Sequence, residues 1–181
     1  MRKIILTLLL IIPLSGCIGA GEVSSIEIPA QGKFPIVNGI DLTGMPRKLP
    51  STFQGDLNIV ILAFKQEQQE IVNQWFPFIK SLQNNFNGIE FYEIPVIYAA
   101  NPAIRLWANN GMRSGITEED LRQRTITVYL DKDKFLDAMQ MNDDTIFTLL
   151  LDDFGNIKWR TDGAPTPEKQ GQLEQVIREI S

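Results

Sequence analysis

The sequence contains no histidine and a single cysteine, Cys17. Without an imidazole there is no Ser-His-Asp triad, no His-bearing zinc site and no usual proton shuttle at neutral pH. One cysteine supplies no pair for thiol–disulfide exchange. The uncharged, mostly aliphatic run from Ile4 to Leu14 is too short to cross a bilayer, which needs roughly 20 residues. No block of clustered Lys and Arg is present, and the net charge is −5, which argues against a nucleic-acid partner. There is no internal repeat and no low-complexity tract. The remaining chemistry is that of carboxylates, Lys, Tyr or Ser, or an all-oxygen cation site.

The amino terminus is informative. Arg2 and Lys3 precede the aliphatic run, which ends in Leu14-Ser15-Gly16-Cys17. A basic start, a short apolar stretch and small residues before a break mark a secretory signal. Leu14 to Cys17 resembles the bacterial lipobox. That resemblance implies cleavage before Cys17, diacylglycerol on its sulfur and an acyl chain such as palmitate on the new amino terminus. Several acyl chains make a durable anchor where one does not. The expected partner is therefore a lipid bilayer of the bacterial cell envelope. Ile18, where an Asp would signal inner-membrane retention, leans the expectation towards the outer membrane. The expected boundaries are a signal peptide at 1–16, a lipidated tether at 17–33 and a domain at 34–181. Cleavage leaves 165 residues (181 less 16) with net charge −7 (−5 less the charges of Arg2 and Lys3). That length suits one domain with a sizeable core. Acylation also removes the last free thiol, and with it nucleophilic Cys chemistry.

Ile18 to Lys33 is rich in Gly, Ser and Ala and reads as a tether; fully stretched it would reach roughly 50 Å. Phe34 to Val37 and Pro46 to Leu49, flanking Asn38-Gly39 and Thr43-Gly44, predict a small hairpin, and Ser51 to Gly55 a turn. Asn58 to Phe64 is a continuous apolar run, as in a central strand covered on both faces. From Gln66 to Phe86 the period changes: Ile71, Trp75, Phe78, Ile79, Leu82 and Phe86 recur at helical steps, with Pro77 expected to kink the helix. Ile89 to Tyr98 is a second apolar strand. Asn101-Pro102 starts a helix that Gly111 should stop, and Thr117 with Asp120 predicts the cap of a short helix to about Arg124. Thr125 to Leu130 is β-rich, and Lys132 to Met139 is a short helix. Thr145 to Leu151, a turn at Asp152 to Asn156, and Ile157 to Thr161 predict a hairpin. Thr166-Pro167-Glu168 opens a last helix with Leu173, Val176, Ile177 and Ile180 as its buried stripe. Strands alternating with helices imply a partly parallel sheet with helices on both faces.

Three features resemble the thioredoxin-like superfamily over Phe34 to Ile180. They are the strand Asn58 to Phe64 ahead of a helix, Pro77 inside that helix, and the closing hairpin Thr148 to Arg160. Phe34-Pro35 with Gly39 and Gly44, Gln68-Gln69 ahead of Trp75, and Lys158-Trp159-Arg160 ahead of Thr166-Pro167-Glu168 are similar to the mitochondrial ATP-synthase assembly factors of this fold. The resemblance implies a three-layer α/β/α sandwich with a mixed sheet and a C-terminal β-hairpin plus helix. Counting back from Pro77, it places the redox Cys-x-x-Cys on Gln69 and Val72, or one residue earlier on Gln68 and Ile71. It places the superfamily's cis-proline on Phe147, where a cis bond would cost roughly 2.5–4 kcal/mol. No thiolate can attack from these positions. No catalytic residue, metal or cofactor is expected, although an open helix end could still hold an anion.

Gln66-Glu67-Gln68-Gln69-Glu70 reads either as a partner-binding rim or as a solvated first turn, and the solvated turn is preferred. Trp75 belongs to the core, while Trp107 and Trp159 stay open between ligand platform and core. Gln66, Glu67, Trp107, Trp159 and Arg160 are the candidate partner or ligand surface. Asp131-Lys132-Asp133 and Asp152-Asp153 fit turns better than cation sites. Arg105, Arg113, Arg122 and Arg124 could hold phosphate, but surface pairing explains them better. The expected function is a tethered, redox-inactive domain that binds an envelope protein as an assembly or maturation aid. The alternatives are an oxidoreductase with an atypical site and a small-molecule-binding lipoprotein using a pocket near Trp107. A mitochondrial role would not transfer to an exported lipoprotein.

Overall fold

A computed structural model describes Ile26, residues 32–98 and residues 102–181; Cys17 and most of the expected tether lie outside the described residues. Seven strands form one sheet: β1 (Val37–Asp41), β2 (Pro46–Leu49), β3 (Leu57–Ala63), β4 (Ile89–Tyr98), β5 (Ile126–Leu130), β6 (Phe147–Asp152) and β7 (Ile157–Asp162). The spatial order is β2-β1-β5-β4-β3-β6-β7. β3, β4 and β5 run parallel, and β6 and β7 add antiparallel on one side. β1 joins β5 antiparallel on the other side, with β2 outside it. Every residue of β3 is buried, as its unbroken apolar run requires of a strand with neighbours on both edges and layers on both faces.

Among the described residues five helices flank the sheet: α1 (Gln69–Asn85), α2 (Pro102–Gly115), α3 (Glu119–Arg124), α4 (Lys132–Met139) and α5 (Pro167–Ile180). Val72, Trp75, Ile79 and Leu82 of α1 and Leu173 and Ile177 of α5 pack on Ile59, Ile61, Phe91 and Leu150. Phe135 and Met139 of α4, with Phe34 and Leu49, cover the opposite face over Val60, Leu62, Ile94 and Leu149. Each such side chain contributes roughly 1.5–3 kcal/mol on full burial. Tyr129 of β5 donates from its hydroxyl to Arg105 O at 3.2 Å, tying α2 to the α1 face. The result is the three-layer sandwich expected.

The boundaries that differ have local causes. Gly111 does not stop α2, which runs on to Gly115; nothing lies within 4 Å of where a Gly111 Cβ would sit, so the residue meets no packing demand to end there. Glu118, not Thr117, occupies the cap of α3, with no side-chain hydrogen bond. A 3₁₀ turn, Gln66–Gln68, precedes α1, and Pro77 sits inside the helix on its exposed side. Ile180, in the last turn of α5, is exposed. The hairpin strand starts at Val37 rather than Phe34. The fold reaches slightly further back than Phe34, since Lys33 bridges Asn156 and Gly32 O accepts from Ile157 N at 2.8 Å.

Candidate functional site

The loop leaving β3 and the loop entering β6 meet at the first turn of α1, where the superfamily resemblance places a redox site. Gln68 closes this junction and is 3% exposed. Its Oε1 accepts from Phe64 N at 2.8 Å and Lys65 N at 3.3 Å, and its Nε2 donates to Asp143 O at 2.9 Å. A carboxamide carries acceptor and donor on one fork, so this residue alone can bind both loops. Gln68 thus ties the end of β3 to the Asp143 loop just ahead of α1.

An ionic shell surrounds Gln68. Lys132 Nζ lies 2.8 Å from Asp143 Oδ2, and Lys65 Nζ lies 3.3 Å from Asp143 Oδ1 and 3.7 Å from Asp144 Oδ1. Lys132 also sits 4.5 Å over the ring of Tyr98, whose hydroxyl donates to Asp133 Oδ1 at 2.7 Å. Hydrogen bonds from Lys132 and Lys65 hold the Asp143 carboxyl below its ordinary value, and the Asp143 contact raises Lys65. The Asp133 contact raises the Tyr98 phenol. Each of these groups already has a partner within this shell.

Beneath the first turn of α1 lies Glu93 of β4, opposite Ile61 and bridged to Thr125. It is 5% exposed. Burial pushes its carboxyl up to about 7, against a hydrogen bond from the exposed Gln69 side chain, which pulls the other way. Glu93 is thus a buried carboxyl that changes charge near neutrality.

The other expected positions separate. Val72 is fully buried and Ile71 half-buried on α1, so both serve packing. Phe147 is 9% exposed, its ring 6.4 Å from that of Phe64. The one cis bond among the described residues is Leu49–Pro50, and Phe147 keeps a trans bond as expected. Gln66 and Glu67 are solvated. Trp75 is core, with Nε1 donating to Gly163 O at 3.0 Å. Trp159 is half-buried, its ring 6.5 Å from that of Trp75. Arg160, on the other face of β7, donates to Met139 O at 3.0 Å. Gln66, Glu67, Trp159 and Arg160 therefore do not form one patch, and the side chain of Trp107 on α2 lies outside the described residues.

Arg113 and Arg122 serve structure. Arg113 Nε donates to Leu42 O and Arg122 Nε to Ile116 O, both at 2.6 Å, while Arg124 pairs with Glu90 and Asp120. Asp131 caps α4 through Lys134 N, and Asp152 Oδ1 accepts from Phe154 N and Asn156 N, so both acidic pairs do turn work. Asp143, Tyr98 and Glu93 were not singled out from sequence, and Lys132 only as part of an acidic turn. The one available signal for Glu93 was a charge inside an apolar strand.

Several solved structures share this architecture. A candidate electron transport protein of Aquifex aeolicus VF5 superposes with TM-score 0.56 at 16% identity, over 84% of this chain and 95% of that one. A thiol:disulfide interchange protein of a Bacteroides species superposes with TM-score 0.51 at 15% identity, over 83% and 91%. At such identities the likeness shows the fold, which is thioredoxin-like. No curated protein matches the chain. Residues 30–180 match the ATP10 protein family. The chain belongs to the ATP10 protein family. This group of thioredoxin-like ATP-synthase assembly factors was the resemblance carried by Phe34-Pro35, Gln68-Gln69 and Lys158-Trp159-Arg160. In this ATP10-family chain Gln68 is the structural keystone of the site, and Gln69 is the solvent-side contact of Glu93. No described helix is long and apolar enough to cross a membrane.

Proposed function

We propose that this chain is a lipid-anchored, redox-inactive member of the ATP10 family that binds another protein of the cell envelope during assembly or maturation. The observation that carries this reading is Gln68. At the turn where thiol chemistry would start, a buried amide is committed to Phe64 N, Lys65 N and Asp143 O. Neither Gln68, Gln69, Ile71 nor Val72 can form a thiolate, and Cys17 is required for the anchor. A rigid, paired surface at the carboxyl ends of β3 and β4 suits recognition better than turnover. Insulin and peroxide reduction by the purified chain should stay at the buffer rate. In-cell crosslinking through an amino acid introduced at exposed Glu67 should return one dominant partner. Reduction above background, or crosslinks spread over abundant proteins without preference, would refute the reading. Cys17→Ser should move the chain from the detergent-rich phase to the aqueous phase in phase separation; an unchanged distribution would remove the anchor.

A further inference from the structure

Away from Gln68, at the amino-terminal ends of the parallel strands, a small open cleft of about 30 Å³ lies between β2, β4 and α3. Its floor is Tyr92, only 4% exposed. The phenol oxygen accepts from Gln54 N at 3.0 Å, and the ring is held by Phe53 at 4.6 Å. Burial raises the phenol above its ordinary value, against the nearby Arg124 and Arg47, so it keeps its proton. Among the described residues that proton has no protein acceptor.

Two guanidiniums form the walls. Arg47 spends Nε and Nη2 on Asp41 Oδ2, at 2.8 and 2.7 Å, and keeps Nη1. Arg124 gives Nε to both oxygens of Asp120, at 3.0 and 2.9 Å, and Nη1 to Glu90, and keeps Nη2. The Asp120 side chain is 69% exposed, on a helix of six residues. One cleft thus gathers three unspent donors, and a loosely held carboxylate sits on one of the two guanidiniums.

We propose that this cleft binds a ligand carboxylate, which replaces Asp120 on Arg124 and takes the Tyr92 hydroxyl as a further donor. A planar carboxylate matches the guanidinium fork. A phosphate dianion fits less well, because Asp41, Glu90 and Asp120 already surround the two arginines. A monoanion exchanging for Asp120 leaves the charge on Arg124's partners unchanged. The carboxylate comes either from a small acid or from the terminus of a polypeptide. This proposal stands apart from the Gln68 site, and either can fail alone.

The test follows the Arg Nε–Hε resonances of the full-length chain in detergent during titration with acetate, inorganic phosphate, a short peptide with a free C-terminus and the same peptide amidated. Acetate should shift Arg124 and Arg47 saturably. Asp120→Asn, a change at an exposed side chain, should bind acetate about tenfold more tightly, and Tyr92→Phe about tenfold more weakly. A free-acid peptide binding more tightly than acetate and its own amide identifies a polypeptide terminus; equal affinity for acetate identifies a small acid. Asp120→Asn binding no more tightly than the parent would overturn the proposal. So would phosphate binding more tightly than acetate, or Arg160 and Arg178 shifting over the same range.

Discussion

Replacing Glu93 by Gln should make the chain more stable at pH 8 while changing little at pH 4.5. Glu93 ionises near 7 in the folded chain and at about its ordinary 4.5 in the unfolded one. Below pH 4.5 both states hold the proton, and the site contributes its full stability. As pH rises from 4.5 to 7, the unfolded chain releases the proton before the folded chain does, so stability is lost. Above 7 both states are ionised and the loss is complete. At about 1.4 kcal/mol for each pH unit, the total is roughly 3 kcal/mol. That is a large part of the 5–15 kcal/mol typical of a domain. Gln keeps the shape and the hydrogen bonding toward Gln69 but carries no proton to lose. The assay is urea unfolding of both proteins from pH 4.5 to 8.5, followed by tryptophan fluorescence. Groups common to both proteins cancel in the difference. The stability gap should widen with pH and flatten above about 7. A gap constant to within about 0.5 kcal/mol across the range would refute the reasoning, because a buried, raised carboxyl cannot give that result.

Gln68→Ala should cost about 1–3 kcal/mol in the same unfolding assay, since it strands Phe64 N and Asp143 O. Gln68→Glu should do no better, because a carboxylate offers Asp143 O no donor. Gly39→Ala should destabilise by about 1–3 kcal/mol, because its new Cβ would lie 2.6 Å from Ile126 Cγ2 and 3.0 Å from Thr127 O where β1 meets β5; an unchanged melting temperature would contradict that close approach. Asp41→Asn should weaken the β1–β2 hairpin. Burial raises the Asp41 carboxyl, but Thr43, Met45 and Arg47 together hold it below its ordinary value. The stability it contributes is therefore present above the ordinary carboxylate range and lost as pH falls through the folded value. The parent and Asp41→Asn proteins should accordingly converge in acid and separate near neutrality.

Elements whose periodicity comes from burial were legible from sequence. The apolar run at Asn58 to Phe64 and the helical stripe through Trp75, Ile79 and Leu82 declare a covered strand and a one-sided helix, because burial itself selects those residues. The Asp152 to Asn156 turn was equally plain, since its side-chain and backbone hydrogen bonds are local. Helix ends were less plain, as Gly111 shows: glycine weakens a helix but does not end one. The site was the least legible part. Gln68 reads as one of several polar residues in a first turn until the Asp143 loop, 75 positions on, is seen against it. Lys132, the first residue of α4, read as a turn residue because its partner Asp143 lies in the loop beyond the end of that helix. Contacts made across the fold leave no spacing in the chain.

The attachment of Gly32 and Lys33 to Ile157 and Asn156 has a mechanical consequence. That corner lies where β6 turns into β7, at the edge of the sheet remote from Gln68. With Cys17 held in a bilayer as proposed, a pull on the leash meets the domain first at Ile26, which packs on the core around Phe34, and then at the hairpin corner. The molecule would behave like a moored float, with its mooring ring at one pole and its working pole facing away from the lipid.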